Sequence, residues 1–106
     1  MNKQRIELLK TYIKEDSSDP FNYYALALEY LDENRAEAEE YFVKLLKTFP
    51  EYLPTYYHAA HFFMDTDPDR TSEIFEEGIK LAQIQGDLKT LAELRNAYTN
   101  WQFDQD

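Results

Sequence analysis

The sequence predicts an all-α fold of about six antiparallel helices, and three observations support this prediction. Apolar residues recur at helical spacing in each segment, as at offsets of 0, 3, 4 and 7 from Tyr23 to Tyr30. The chain has only 2 glycines and 4 prolines among 106 residues, which is too few for the tight turns of an all-β domain. The third observation is an internal repeat of 33 residues, which indicates that a unit of two helices occurs twice.

Capping residues and helix breakers set the predicted boundaries of the six helices. Asp19-Pro20 and Asp67-Pro68 each place a capping side chain before a proline that suits the first helical turn. Asn34 with Glu37 has the spacing of a capping box, and Gly86-Asp87 indicates a helix stop followed by a new N-cap. The predicted helices span about residues 3–15, 20–33, 35–48, 54–65, 68–85 and 87–101, with a frayed tail at 102–106.

The internal repeat relates two successive helix pairs by residue type and by helical phase. Small residues recur at the positions where helices approach closely, and aromatic residues recur on either side of them. Leu26 with Ala59 and Leu45 with Gly78 are looser matches, because they change volume. The close matches are Tyr23 with Tyr56, Ala27 with Ala60, Tyr30 with Phe63, Ala38 with Thr71, Phe42 with Phe75 and Leu46 with Ile79.

This arrangement resembles the tetratricopeptide repeat (TPR) family. The first unit supplies the family's pattern of aromatic, small and closing proline residues from Tyr23 to Pro50, and the second supplies it from Tyr56 to Ile79 without a closing proline. Each unit is one residue shorter than the family's usual 34, and Asn34 or Asp67 replaces the glycine of the inter-helix turn. The resemblance implies a right-handed α-solenoid in a single domain, with repeats at 20–52 and 53–86 and capping helices at 1–19 and 87–101.

Composition and charge exclude several classes of function. The 21 acidic residues against 11 basic ones give a net charge of −10, which repels nucleic acid phosphates and anionic membrane surfaces. The absence of cysteine excludes disulfides, thiolate catalysis and cysteine-ligated metals. The first residues contain no apolar signal segment and no later run is long enough to span a membrane, so a cytoplasmic location is expected.

Enzymatic chemistry has little support in the sequence. His58 and His61 stand three residues apart on one predicted helix with Asp65 four residues beyond, so they could share a metal ion if a neighbouring helix supplied a further ligand. There is no glycine-rich phosphate loop and no recognisable nucleophile beside a base. We therefore expect no catalytic residues and no cofactor, and a metal- or small-molecule-binding protein is the most distant of three hypotheses.

A second apolar stripe marks the candidate binding surface. Tyr24, Leu28 and Leu31 lie on a face of their helix different from the one that carries Tyr23, and their repeat equivalents have the same spacing. In TPR proteins the first helices of successive pairs line a concave surface that grips peptides or partner helices. An alternative is that part of the stripe packs one first helix on the next or receives another copy of the protein. The predicted groove residues are Tyr24, Leu28, Leu31, Tyr57, His58, His61 and Met64.

The leading functional hypothesis is a non-enzymatic module that binds a segment of another protein, and the second is a homo-oligomerisation unit whose groove is self-occupied.

Some TPR domains clamp acidic chaperone tails with basic side chains from their first helices. Residues 20–33 and 54–65 contain no lysine or arginine and instead contribute acidic side chains. We therefore expect a partner segment with aliphatic or aromatic anchors and basic flanks. The acidic residues are Glu29, Asp32, Glu33 and Asp65.

Overall fold

A computed structural model describes residues 2–105 and contains six α-helices. No strand occurs between these two residues. The all-α class and the number of helices predicted from the sequence are therefore confirmed. The helices are α1 (Lys3–Glu15), α2 (Pro20–Tyr30), α3 (Arg35–Thr48), α4 (Pro54–Phe62), α5 (Pro68–Gln85) and α6 (Leu88–Gln105).

Helix N-termini are fixed by side-chain caps, as the sequence predicts. Each cap accepts a hydrogen bond from a backbone N–H in the first turn, which satisfies one of the donors that a helix leaves without an internal partner. Asn2, which the sequence analysis did not identify as a cap, accepts from the N–H of Arg5 at 3.0 Å. The predicted caps Asp19, Asn34, Asp67 and Asp87 accept from the N–H groups of Phe21, Glu37, Arg70 and Thr90 at 3.0–3.3 Å.

The turns inside the two helix pairs end α2 and α4 three residues earlier than predicted. The N–H of Leu31 donates to the Leu28 carbonyl oxygen, a shorter loop than the α-helical bond, and this tightens the last turn. The N–H of Asn34 then donates to the Tyr30 carbonyl oxygen at 2.8 Å, so the chain leaves the helix in order to cap α3. The same two bonds recur 33 residues later, from Met64 to His61 and from Asp67 to Phe63.

Helix α6 is longer than the sequence prediction. It continues to Gln105 instead of ending near Trp101, so the predicted frayed tail is corrected to helix for residues 102–105. Asp106 lies outside the described residues. Trp101 is buried and holds this end of the helix, and no glycine or proline follows it to stop the helix.

The described residues form two compact units, divided between Thr55 and Tyr56. In the first unit, α1, α2 and α3 bury one apolar face each. The Arg5 guanidinium forms an ion pair with the Glu29 carboxylate, with 3.0 Å between Nε and Oε1, and this joins α1 to α2. The buried core residues of these helices include Ile6, Leu9, Leu26, Ala27, Phe42 and Leu45.

In the second unit, α4 and α5 contact each other closely at Gly78. A Cβ atom added at Gly78 would lie 2.7 Å from Cβ of Tyr56, so only glycine fits this position without movement of α4. Nearby, the hydroxyl of the buried Thr71 donates to the carbonyl oxygen of Ala60 at 3.0 Å. Helix α6 also packs on α5, where the Phe75 ring stacks on Tyr98 with 5.1 Å between centroids.

A connection of two residues, Gly86 and Asp87, joins α5 to α6. Gly86 has φ = 71°, in the left-handed region that glycine adopts without strain. The N–H groups of Gly86 and Asp87 donate to the carbonyl oxygens of Gln83 and Ala82, which closes a Schellman motif. Asp87 is also the N-cap of α6, so the end of one helix and the start of the next share this residue.

Candidate functional site

The candidate residues of the first unit lie beside the buried face of α2. Tyr24 and Leu28 are half-buried, whereas Tyr23 and Leu26 on the core face are buried. The Tyr24 ring meets the Tyr52 ring edge to face, with 5.7 Å between centroids. Burial raises the pKa of both tyrosine hydroxyls, so they stay protonated at neutral pH. Neither aromatic ring therefore carries a charge at neutral pH.

The candidate residues of the second unit form a series of ring contacts from the surface to the core. Tyr57 is 38% exposed, and its ring lies 4.3 Å from the His61 ring, measured between centroids. His61 is exposed and meets the buried Phe75 edge to face at 5.9 Å. Tyr57 also meets the half-buried His58 at 5.5 Å. An accessible aromatic ring is thus held in place by contacts on its own helix.

The two histidines have different environments. Nδ1 of His61 lies 2.7 Å from the carbonyl oxygen of Tyr57, which fixes the orientation of the imidazole ring. Burial lowers the pKa of His58, and the neighbouring His61 lowers it further. Among residues 2–105, no three histidine or carboxylate side chains lie close enough to share a metal ion. The hypothesis that His58, His61 and Asp65 share a metal ion therefore lacks a ligand set in this part of the chain.

Two predicted groove residues lie outside the helices on which they were expected. Leu31 is the C-cap of α2, and Met64 follows the end of α4 within the inter-helix turn. Both side chains are half-buried. The early helix ends described above explain this correction, because the predicted stripe continued the helical spacing past the last full turn.

A face of α6 that the sequence analysis did not identify lies beside Tyr57. Glu93, Asn96 and Asn100 are exposed, Ala97 is half-buried, and together with Tyr57 they line a cavity of about 500 Å³. These four α6 residues stand at offsets of 0, 3, 4 and 7, so they occupy one side of the helix. The spacing could have revealed them, but polar residues do not contribute to an apolar stripe.

The acidic residues predicted near the binding surface are not equivalent. The Glu29 carboxylate is occupied by Arg5, and its second oxygen accepts a hydrogen bond from the N–H of Asn2 at 3.3 Å. Asp32 and Asp65 lie in the inter-helix turns and are exposed. Glu29 is therefore removed from the acidic residues predicted near the binding surface, since its carboxylate holds α1 to α2.

Comparisons with known proteins identify the class of this fold. The chain is similar to a tetratricopeptide repeat domain protein from Salinibacter ruber, at 36% sequence identity and a TM-score of 0.74 for both its solution NMR structure and its crystal structure. The alignment with the NMR structure covers 81% of this chain and 89% of the other, and with the crystal structure 79% and 97%. No family model and no curated protein sequence matches the chain.

Repeated helix pairs with small residues at their contacts define a helical-repeat protein. The similarity to the Salinibacter ruber domain goes further, because it combines sequence identity with coverage of nearly the whole solved domain. The chain belongs to the tetratricopeptide repeat family, as its sequence pattern predicted. Proteins of this fold are in general non-enzymatic modules that bind other proteins. Between residues 2 and 105, none of the helices combines the length and the apolar composition needed to cross a membrane.

Proposed function

We propose that this chain is a non-enzymatic module that binds a segment of a partner protein against the second faces of α2 and α4. The observation that carries the proposal is the exposed Tyr57 ring, which is supported by His61 on a helix whose other face is already buried. Aromatic side chains held in this way serve as anchors in protein interfaces. The proposed contact residues are Tyr24, Leu28, Leu31, Tyr57, His58, His61 and Met64.

The partner segment is proposed to carry aliphatic or aromatic anchors with basic flanks. Apolar anchors suit the aromatic surface of Tyr24 and Tyr57, and basic flanks suit a chain of net charge −10. Nucleic acids and anionic membranes are not proposed as partners, since the same charge repels them. Binding of an acidic peptide is disfavoured because residues 20–33 and 54–65 supply no cationic donor.

A pair of tyrosine variants tests the binding surface. A partner captured from a lysate of the source cell and identified by mass spectrometry is purified and titrated with each variant. Tyr57→Ala should weaken binding by about 2 kcal/mol if the ring is an anchor. Tyr12→Ala is the matched control, since Tyr12 is 42% exposed on α1 and lies outside the proposed surface. Equal effects of the two substitutions would contradict the proposal.

The charge of the partner has its own test. A basic amphipathic peptide should bind more tightly than an acidic chaperone-tail peptide, and its association rate should fall as salt is added. Tighter binding of the acidic peptide would contradict the proposed charge preference. It would not affect the Tyr57→Ala test, because that test measures the contribution of the ring to partner binding and does not depend on the charge of the partner.

Homo-oligomerisation is a second candidate, and it is favoured by large exposed apolar side chains. Ile84 is 82% exposed, Leu88 75% and Phe103 74%, and contact with another copy would remove these side chains from water. Light scattering over a concentration series tests this candidate. A mass that rises with concentration supports it, and a constant monomer mass contradicts it.

A further inference from the structure

The cavity beside Tyr57 has a chemical character different from the rest of the candidate surface. Its walls are the Glu93 carboxylate, the carboxamides of Asn96 and Asn100, and the Tyr57 ring, and no cationic side chain lines it. Ala97 lies between the polar residues on α6, and its small side chain leaves the space open. A different stripe of α6 contributes to the core of the second unit, since Leu91, Leu94 and Trp101 are buried. The polar residues of α6 therefore lie outside the stripe of this helix that packs in the core.

These groups favour a planar cation that donates several hydrogen bonds. A carboxylate and two carboxamide oxygens accept hydrogen bonds, and an aromatic ring attracts a positive charge above its face. A guanidinium group has five N–H donors in a plane, pairs with a carboxylate and stacks on aromatic rings. A lysine ammonium is a compact and strongly hydrated charge that would use the Tyr57 ring and the carboxamides less fully.

We propose that this cavity binds an arginine side chain of the partner segment. The inference rests on the proposed function, and it specifies one of the basic flanks by residue type and position. Glu93 pairs with the guanidinium, the carboxamide oxygens of Asn96 and Asn100 accept its remaining N–H groups, and Tyr57 contacts its face. The contact between the Tyr57 and His61 rings holds the tyrosine in place before the partner arrives, which reduces the entropy lost on binding.

A second acidic cavity in the same unit provides an internal comparison. Glu73, Glu76 and Glu77 line it together with Ile79 and Lys80, and its volume is about 480 Å³. It has more carboxylates than the cavity beside Tyr57, but no aromatic ring and no carboxamide, and Lys80 offsets part of its charge. General attraction of a cation to an acidic protein would favour this cavity, whereas recognition of a guanidinium favours the one beside Tyr57.

The test is an NMR titration of the full chain, labelled with ¹⁵N, with N-acetyl-arginine methylamide. Saturable shifts should appear at Tyr57, Glu93, Asn96 and Asn100. The citrulline analogue, which has the same shape without the charge, should cause none at equal concentration, and the lysine analogue should bind more weakly. Glu93→Gln should weaken arginine binding about tenfold, since it removes the charged acceptor and keeps the shape. The matched control Glu76→Gln should leave binding unchanged.

Two results would overturn the inference. One is that the chemical-shift changes occur at Glu73, Glu76 and Glu77 of the second acidic cavity. The other is that Glu93→Gln and Glu76→Gln weaken arginine binding equally. Either result would leave the proposed function standing if Tyr57→Ala still weakens binding of the purified partner. Conversely, if the arginine probe binds beside Tyr57 while Tyr57→Ala leaves partner binding unchanged, the proposed function fails and the arginine site alone is supported.

Discussion

The two helix pairs, α2–α3 and α4–α5, share their turns and differ in how their interiors are filled. In the first pair Leu26 and Leu45 are completely buried. Their equivalents 33 residues later are Ala59 and Gly78, which are much smaller, and there α5 comes so close to α4 that Gly78 lies against Tyr56. The space at Gly78 is occupied by Tyr56 of α4 and Leu94 of α6, whose side-chain atoms would lie 2.7 and 3.2 Å from an added Cβ. The repeat therefore conserves the backbone plan, whereas the packing is specific to each pair.

The surfaces of the two pairs differ in polarity and in exposure. The second face of α2 carries Leu28, and the equivalent position on α4 carries the exposed His61. Tyr24 is half-buried, whereas Tyr57 at the equivalent position is the more exposed ring. The second pair therefore presents a more accessible and more polar aromatic surface.

The largest expected effect separates the buried and the exposed faces near the end of α4. Phe63 is 3% exposed and the Arg70 guanidinium lies over its ring at 4.5 Å, so Phe63→Ala should lower the free energy of unfolding by about 3–5 kcal/mol. Tyr57→Ala should change it by less than about 1 kcal/mol, because the ring is already accessible. Urea denaturation measures both values. A larger loss for Tyr57→Ala would show that the two faces are wrongly assigned.

The next prediction compares equivalent interior positions by converting both to alanine. Leu45→Ala should cost about 2–5 kcal/mol, because it leaves a cavity in the first pair. Gly78→Ala should cost about 1–2 kcal/mol despite the better helix propensity of alanine, because the new Cβ meets Tyr56. Thermal denaturation compares each variant with the wild type. If Gly78→Ala stabilises the protein, α4 moves away more easily than its packing indicates.

An effect no larger than that of Gly78→Ala is expected at Gly86, where only the backbone is constrained. No atom lies within 4 Å of an added Cβ, so Gly86→Ala should cost about 1–2 kcal/mol from the left-handed conformation alone. Gly86→Asn is the matched control, since asparagine adopts this conformation more readily and should cost less. Equal losses for alanine and asparagine would mean that conformation is not the cause.

The smallest effect concerns pH and the half-buried His58 of the second pair. The pKa of His58 is lower in the folded protein than in the unfolded chain, so the unfolded state binds more protons as pH falls below about 6.5. Stability should therefore decline as pH decreases through this range towards the lower folded pKa. His58→Gln should flatten the decline between pH 7.5 and about 5, before most carboxylates titrate. An unchanged profile in urea denaturation at these pH values would contradict this assignment.

The sequence predicted the features that depend on neighbours along the chain. Caps at Asp19, Asn34, Asp67 and Asp87 act on N–H groups two or three residues away, so residue type and position are sufficient to identify them. The 33-residue repeat was visible because both helix pairs bury aromatic and small residues at the same phase. The ends of α2 and α4 were misplaced because apolar spacing continues through a turn that backbone hydrogen bonds have already tightened.

The cavity on α6 could not be predicted from apolar periodicity. Glu93, Asn96 and Asn100 become a group only when α6 is placed beside Tyr57, which is more than thirty residues away in the sequence. The close approach at Gly78 was missed for a similar reason, since a glycine within a helical pattern does not reveal which atoms lie against it. Local sequence signals are sufficient to identify the helices, whereas tertiary contacts of this kind can be identified only from the structure.

The two-residue connection at Gly86 and Asp87 favours early pairing of α5 and α6 during folding. Because α5 and α6 share a connection of two residues, bringing these helices together closes a short loop and loses little chain entropy. Local contacts of this kind form quickly. We expect the α5–α6 hairpin to be formed early in the folding transition state, with the remainder of the chain assembling on an element that is already paired.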